Sequence, residues 1–284
     1  MSNFLKTAFL LTLLTLLVAG CGYALGGRRG MSFAVFFACL VDLVVYWSSD
    51  RFVLAAHRAQ PLAESEAPEV FEIVRKLSEK AKIPMPRLYM LPSASANAFA
   101  TGCDPAHASI AITYGIVGLL NQEELEGVLA HEMAHILNRD ILLSSIVATL
   151  AGALSLSASI FRGSFYWGGE YDERDHGHPL ALLIVSIIMP VAATLIQLAI
   201  SRSREYEADQ RGAGLCENPL YLASALKRLD LSSKQFPFRD PQPATAHLFI
   251  INPLSGKGWA RLFSTHPPVD ERIARLECDA KFSM

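Results

Sequence analysis

His131-Glu132-Met133-Ala134-His135 puts two imidazoles and one carboxylate within five residues. On a helix, residues four apart lie about 40° apart around the axis and about 6 Å apart along it. Both rings can then close on one metal ion. Glu132, about 100° further round from His131, can reach a water held by that metal. H-E-x-x-H on a helix is the pattern of zinc hydrolases, with two ligands and a general base. The pattern is short, and two core histidines beside a surface glutamate would read the same. Its context supplies the helix. Asn121 and Glu124 have capping-box spacing, ahead of Leu125, Val128 and Leu129, which share a face with His135.

A catalytic zinc site needs a third protein ligand and one open position. Glu205 and Asp209 are four apart and share a helix face, whereas Glu207 points elsewhere. The spacing offers Glu205 as the ligand. Asp209 could then accept a hydrogen bond from the far nitrogen of a ligating histidine and fix its tautomer. A charged amphipathic helix, its carboxylates paired with Arg202 and Arg204, fits the same spacing equally well. His266 stands before Pro267-Pro268 and a short helical pattern, where it could donate to an oxyanion or simply pack beside the helix. Arg272, less than two turns on, reads as an ion-pair partner rather than a catalytic group. Asn97 to Thr101 reads as an edge strand. A peptide added to it would leave Asn97 bonding a main-chain amide. A turn-forming asparagine is the plainer reading.

Other elements must position these groups. Of 284 residues 51% are apolar, and they cluster in four runs: Ala8 to about Leu25, Met31 to about Trp47, Ile141 to Phe161, and Leu180 to Ile200. Each is long enough, or nearly so, to cross a bilayer. This implies a membrane protein with a globular part. Val18-Ala19-Gly20-Cys21 resembles a lipoprotein cleavage site, but the next apolar run follows at once, which favours a retained hairpin linked through Gly26 to Gly30. Asp42, inside the second run, reads as a carboxylate paired within the bundle or near a water-filled cavity. Val70, Ile73, Val74 and Leu77 predict a helix starting near Pro68 and broken by Pro84 and Pro86. Arg87 to Leu91, Asn97 to Thr101 and Ser109 to Thr113 predict three strands. The expected fold is mainly α with a small β-sheet (α+β): a zincin-like catalytic domain with about four membrane-associated helices. The chain divides into an N-terminal transmembrane hairpin (1–59), a first part of the catalytic domain (60–140), an apolar helical hairpin (141–200) and a second part (201–284).

The net charge of −2, with no basic patch, gives no sign of nucleic acid as a partner. Five cysteines without C-x-x-C spacing do not make a disulfide framework and suit a reducing compartment. His176 and His178 lie in an acidic link and read as a solvated loop. Arg139 before the third run, with Arg202 and Arg204 after the fourth, puts the globular part in the cytoplasm; Arg28 and Arg29 pull the other way. Asn121 to Glu124 and Glu126 are too polar for an intramembrane site, so the chemistry belongs at the membrane surface.

Taken in order, five segments resemble one family. They are Ser95 to Gly102, His131 to His135, Ser201 to Ala213, His247 to Leu254 and Leu262 to Pro268. They are similar to the HtpX family of membrane zinc metalloproteases, relatives of the CAAX prenyl proteases, and the resemblance covers nearly the whole chain. It implies one Zn²⁺ ion held by His131, His135 and Glu205, with Glu132 as base and His266 as oxyanion donor. It also implies Asn97 and Ala98 as substrate contacts. The implied activity is quality-control cleavage of misfolded or damaged membrane proteins at the cytoplasmic face of the cell (inner) membrane, as part of a stress response. The partners are then polypeptide substrates and the lipid bilayer. A catalytically silent zinc-binding membrane scaffold is the rival. It would call for a fourth protein ligand, which no supporting spacing supplies, and would leave Glu132 without a duty.

Overall fold

In a computed structural model the described residues are 3–152, 202–238, 242, 244–253 and 267–282. The predicted 162–179 link, the fourth apolar run, the end of the third run and His266 lie outside them.

Helix α1 (Asn3–Ala56) holds both N-terminal apolar runs and is interrupted at Gly26 and Gly27. Gly27 has φ 57° and ψ −145°, a conformation that side-chain-bearing residues avoid. Thr15 Oγ1 donates to Asp42 Oδ2 at 2.8 Å. In a straight helix, positions 27 apart would be separated by about 40 Å. The chain therefore folds back at the glycines, and Asp42 has the partner expected within a hairpin. Gly26–Ala56 is long and apolar enough to cross a bilayer, and Phe33, Phe36 and Trp47 stand exposed on it.

The sheet forms where β-prone residues are bounded by turn residues. Strands β1 (Gln60–Pro61), β2 (Arg87–Leu91), β3 (Ala98–Gly102) and β4 (Ala108–Thr113) lie in the order β1-β2-β4-β3. β2 runs parallel to β4, and β3 antiparallel to it. β3 is thus the edge strand foreseen from sequence, beginning one residue later, at Ala98. Helix α2 (Pro68–Ala81) opens on its proline and buries Val70, Ile73, Val74 and Leu77 against the common core.

After the short α3 (Tyr114–Leu119) comes α4 (Gln122–Leu137), which carries the H-E-x-x-H segment. Its capping box is complete: Glu124 N–H donates to Asn121 Oδ1 at 2.8 Å, and Asn121 N–H donates to Glu124 Oε2 at 3.0 Å. The buried Glu124 carboxylate also receives Ser224 and Arg228, tying the start of α4 to α7. Among the described residues the remaining helices are α5 (Asp140–Gly152), α6 (Arg202–Cys216), α7 (Pro219–Gln235) and α8 (Val269–Phe282). α4 packs most closely on α6 and α7, so segments far apart in sequence share one core.

The approach of α6 to α4 is closest at Gly212. A Cβ there would sit 2.9 Å from both the Cα and N of His131, nearer than real Cβ atoms come. Gly212→Ala must push the two backbones apart. A loss of about 1–3 kcal/mol is expected, read as a fall of several degrees in the thermal midpoint of the detergent-solubilised protein. Gly214→Ala, on the same helix with open space around it, should be neutral or slightly stabilising. Equal midpoints for the two variants would show that this contact is not tight.

Candidate metal centre

Helix geometry brings His131 and His135 to adjacent turns of α4, and their Nε2 atoms lie 3.2 Å apart. Glu205, in the first turn of α6, brings Oε1 to 3.7 Å from His135 Nε2 and Oε2 to 4.0 Å from His131 Nε2. One ligand atom from each residue falls within 4.8 Å of the others. Ligand atoms at corners of a tetrahedron around zinc, each about 2.0–2.1 Å from it, would be separated by about 3.3 Å. The donor set and its spacing fit that ion. Glu132 is also buried, and its Oε1 has no hydrogen-bond partner among the described residues. A solvent molecule on a metal would be such a partner.

Each imidazole is held from behind by a carboxylate. His131 Nδ1 lies 2.9 Å from Asp209 Oδ1, the contact that the four-residue spacing offered. Asp209 is gripped in turn by the buried Arg272, whose Nε and Nη2 donate to its two oxygens at 2.8 and 2.6 Å. Arg272 is thus the ion-pair partner expected from sequence. His135 Nδ1 lies 3.0 Å from Asp140 Oδ2. Sequence reading passed over Asp140. Its signal was present: it is the first carboxylate after His135, at the start of the next helix. Gly212 was also passed over, although it continues the Glu205–Asp209 face by three residues.

These surroundings shape the charges. Burial pushes the Glu132 carboxyl up to about 7 and the His131 ring down to about 4, the Asp209 hydrogen bond opposing the latter. Burial also opposes charge on His135. The hydrogen bond to Asp140 and the charges of Glu205 and Glu132 outweigh it and raise His135 to about 9. Asp209 falls to about 2 because the Arg272 charge and hydrogen bonds overcome burial.

Asn97 and Ala98 lie at the start of the edge strand, where sequence reading assigned them to substrate. Here they engage the chain itself. Asn97 Nδ2 donates to Ile251 O at 2.7 Å, Asn97 Oδ1 accepts from Ile251 N–H at 3.3 Å, and Ala98 O accepts from Ile250 N–H at 3.1 Å. The space in front of the imidazoles is about 30 Å³, bounded by Ala100, Ser144 and His247 to Ile250.

A largely buried His-His-Glu cluster on two crossing helices, with a carboxylate beside it, fits the metallopeptidase class of protein. The model of peptidase family M48 matches residues 64–279, and the chain belongs to that family. It is 51% identical to a protease HtpX homolog of Syntrophobacter fumaroxidans over 97% of this chain and 99% of the relative. It is 47% identical to one from Pyrococcus abyssi, over 96% and 94%. The crystal structure of Ste24p from S. mikatae shares the fold at a TM-score of 0.50 and 19% identity; the alignment takes in 97% of this chain and 65% of that one.

Two outcomes follow. Asp140→Asn is expected to weaken zinc binding about 10–100-fold, read by chelator competition; wild-type affinity would show that Asp140 does not orient His135. At pH 8 the metal-free His135, raised to about 9, carries a proton that a metal must displace. Zinc binding should therefore release about one proton from His135, in addition to any lost by a metal-bound water, seen by calorimetry in buffers of different ionisation enthalpy. Apparent affinity should rise with pH until about 9. Binding at pH 8 with no proton released would contradict this.

Proposed function

We propose that the chain is a membrane-bound zinc metalloendopeptidase that cleaves misfolded or damaged membrane proteins at the cytoplasmic face of the cell membrane. The observation that carries this reading is the meeting of His131, His135 and Glu205 side chains within 4.8 Å, beside a buried glutamate. These three residues would hold one Zn²⁺ ion and would leave it a position for solvent. When bound, it supplies a Lewis acid and lowers the pKa of its water towards about 7.

The chain's own residues do the rest. Ala100 N–H holds the Glu132 carboxylate, and burial raises its proton affinity above that of an exposed glutamate. Glu132 can therefore take the proton of the attacking water and pass it to the departing amine, so that one water is consumed per peptide bond broken. Asp209 and Asp140 keep the two imidazoles in the tautomer whose Nε2 is a free ligand. Arg272 holds Asp209 ionised. Asn97 and Ala98, at the sheet edge, align the substrate backbone as an added strand. His266 is the donor to the developing oxyanion; its support is the match of Thr265 to Pro268 with the family's segment. The apolar hairpin of α1 supports residence in the bilayer, and membrane proteins are then the substrates within reach.

Glu132→Gln separates this reading from a silent scaffold. Zinc content should stay at one ion per chain while peptide cleavage falls at least about 100-fold. Full cleavage by that variant would remove Glu132 from the chemistry. Glu205→Ala should instead lose the metal, and retention of zinc at wild-type affinity would refute its role as ligand.

A further inference from the structure

The segment after the short 3₁₀ turn at Ala246–Leu248 lies against the free edge of β3. Ile251 faces Asn97, Ile250 faces Ala98, and the segment from His247 onward reaches the space that Ala100 also bounds. As this segment advances, β3 recedes, so the two run antiparallel. β3 pairs with β4 through Asn97, whose C=O accepts from Thr113 N–H. Strand alternation then turns the main-chain groups of Ala98 and Ala100 outward, to the open edge. Those are the groups a peptide would use to join the sheet. Ile250 N–H already occupies Ala98 O, and Ala100 N–H is spent on Glu132. The Asn97 carboxamide meets both the N–H and the C=O of Ile251, as a main-chain amide would.

From this arrangement we infer that residues 247–251 are a strap that holds the substrate's place, and that a polypeptide must displace it to reach the metal ligands. Volume requires it. The space of about 30 Å³ in front of the imidazoles is one water's share of liquid, whereas a bound peptide-sized ligand needs several hundred Å³. The strap is held at identifiable points. Phe249 packs its ring against Phe99 and His57, with centroids 5.1 Å from each, and against Phe238 at 5.3 Å. His57 Nε2 is hydrogen-bonded to Thr245 Oγ1 at 2.8 Å. His247 Nε2 donates to Ser144 O at 3.2 Å. Arg272 Nη1 donates to Ile250 O at 3.1 Å while the same guanidinium clamps Asp209 behind His131. Displacement of the strap thus frees one arm of the group that positions a metal ligand. Residues 247–251 offer mostly apolar side chains, and at Phe249 the backbone leaves the 3₁₀ turn in extended form, so the competitor they imitate is an unfolded, apolar stretch of polypeptide.

This rests on the peptidase reading, and hydrogen–deuterium exchange tests it separately. The sample is full-length, zinc-loaded Glu132→Gln protein in detergent, alone and saturated with a synthetic decapeptide that the wild type cleaves. The amides of Ile250 and Ile251 should exchange at least tenfold faster with the peptide bound. If they stay as protected, or become more so, the strap is a fixed wall and the inference falls, while loss of cleavage in the same variant leaves the peptidase reading intact. Persistent cleavage by Glu132→Gln would instead undo the assigned base, whatever the amides do. Phe249→Ala gives a second readout: with zinc content unchanged, kcat/KM for the decapeptide should rise three- to tenfold. An unchanged or lower value in folded, zinc-loaded variant would also overturn the strap, and if that variant misfolds the exchange experiment decides alone.

Discussion

Everything at the centre depends on one close crossing. α6 meets α4 at Gly212, where no side chain separates the helices, and the backbone of His131 lies directly against it. Two turns back along α6, Glu205 then brings its carboxylate towards the Nε2 atoms of both imidazoles; one turn back, Asp209 reaches behind His131. A side chain at position 212 would widen the crossing and carry both carboxylates away together. The ligand set is therefore not three independent placements. It is the product of a single helix–helix distance and of the regular pitch of two helices.

Several of the buried charges are set against a counterpart. Arg272, almost wholly buried, would be costly to desolvate by itself. Two bonds to Asp209 and one to Ile250 O satisfy most of its donors. Arg204 is another case. From sequence it counted among the basic residues that orient the chain in the membrane. In the fold it is buried, with Nη1 4.0 Å from Asp140, so its charge belongs to the surroundings of His135. That removes one of the residues on which the positive-inside argument rested and leaves Arg139 and Arg202.

Local signals carried far in this chain. The capping box of Asn121 and Glu124, the four-residue spacings of His131–His135 and Glu205–Asp209, and the strand-like runs 87–91, 97–101 and 109–113 each depend on residues close together in sequence. The structure reproduces them, with β3 one residue later and the start of β4 one residue earlier than read. The contacts that escaped are those that require knowing which segments meet. Asp140 belongs to the helix after His135, and its role appears only once the turn at Asn138–Arg139 folds it back. Gly212 is one glycine among 18 until α4 is seen against it. Asn97 was read for a bond to a main-chain amide and makes one, but to Ile251, which lies 154 positions away. No periodicity in the sequence reports such a pairing.

Zinc K-edge X-ray absorption of the purified full-length protein tests the central claim most directly, because it reads the atoms around the metal without reference to activity. The account predicts one zinc per chain with four nitrogen and oxygen neighbours at about 2.0–2.1 Å, two of them showing the outer-shell scattering of imidazole, and no sulfur. A first shell containing sulfur at about 2.3 Å, or three or more imidazoles, would contradict the assignment of His131, His135 and Glu205 as the metal's protein ligands.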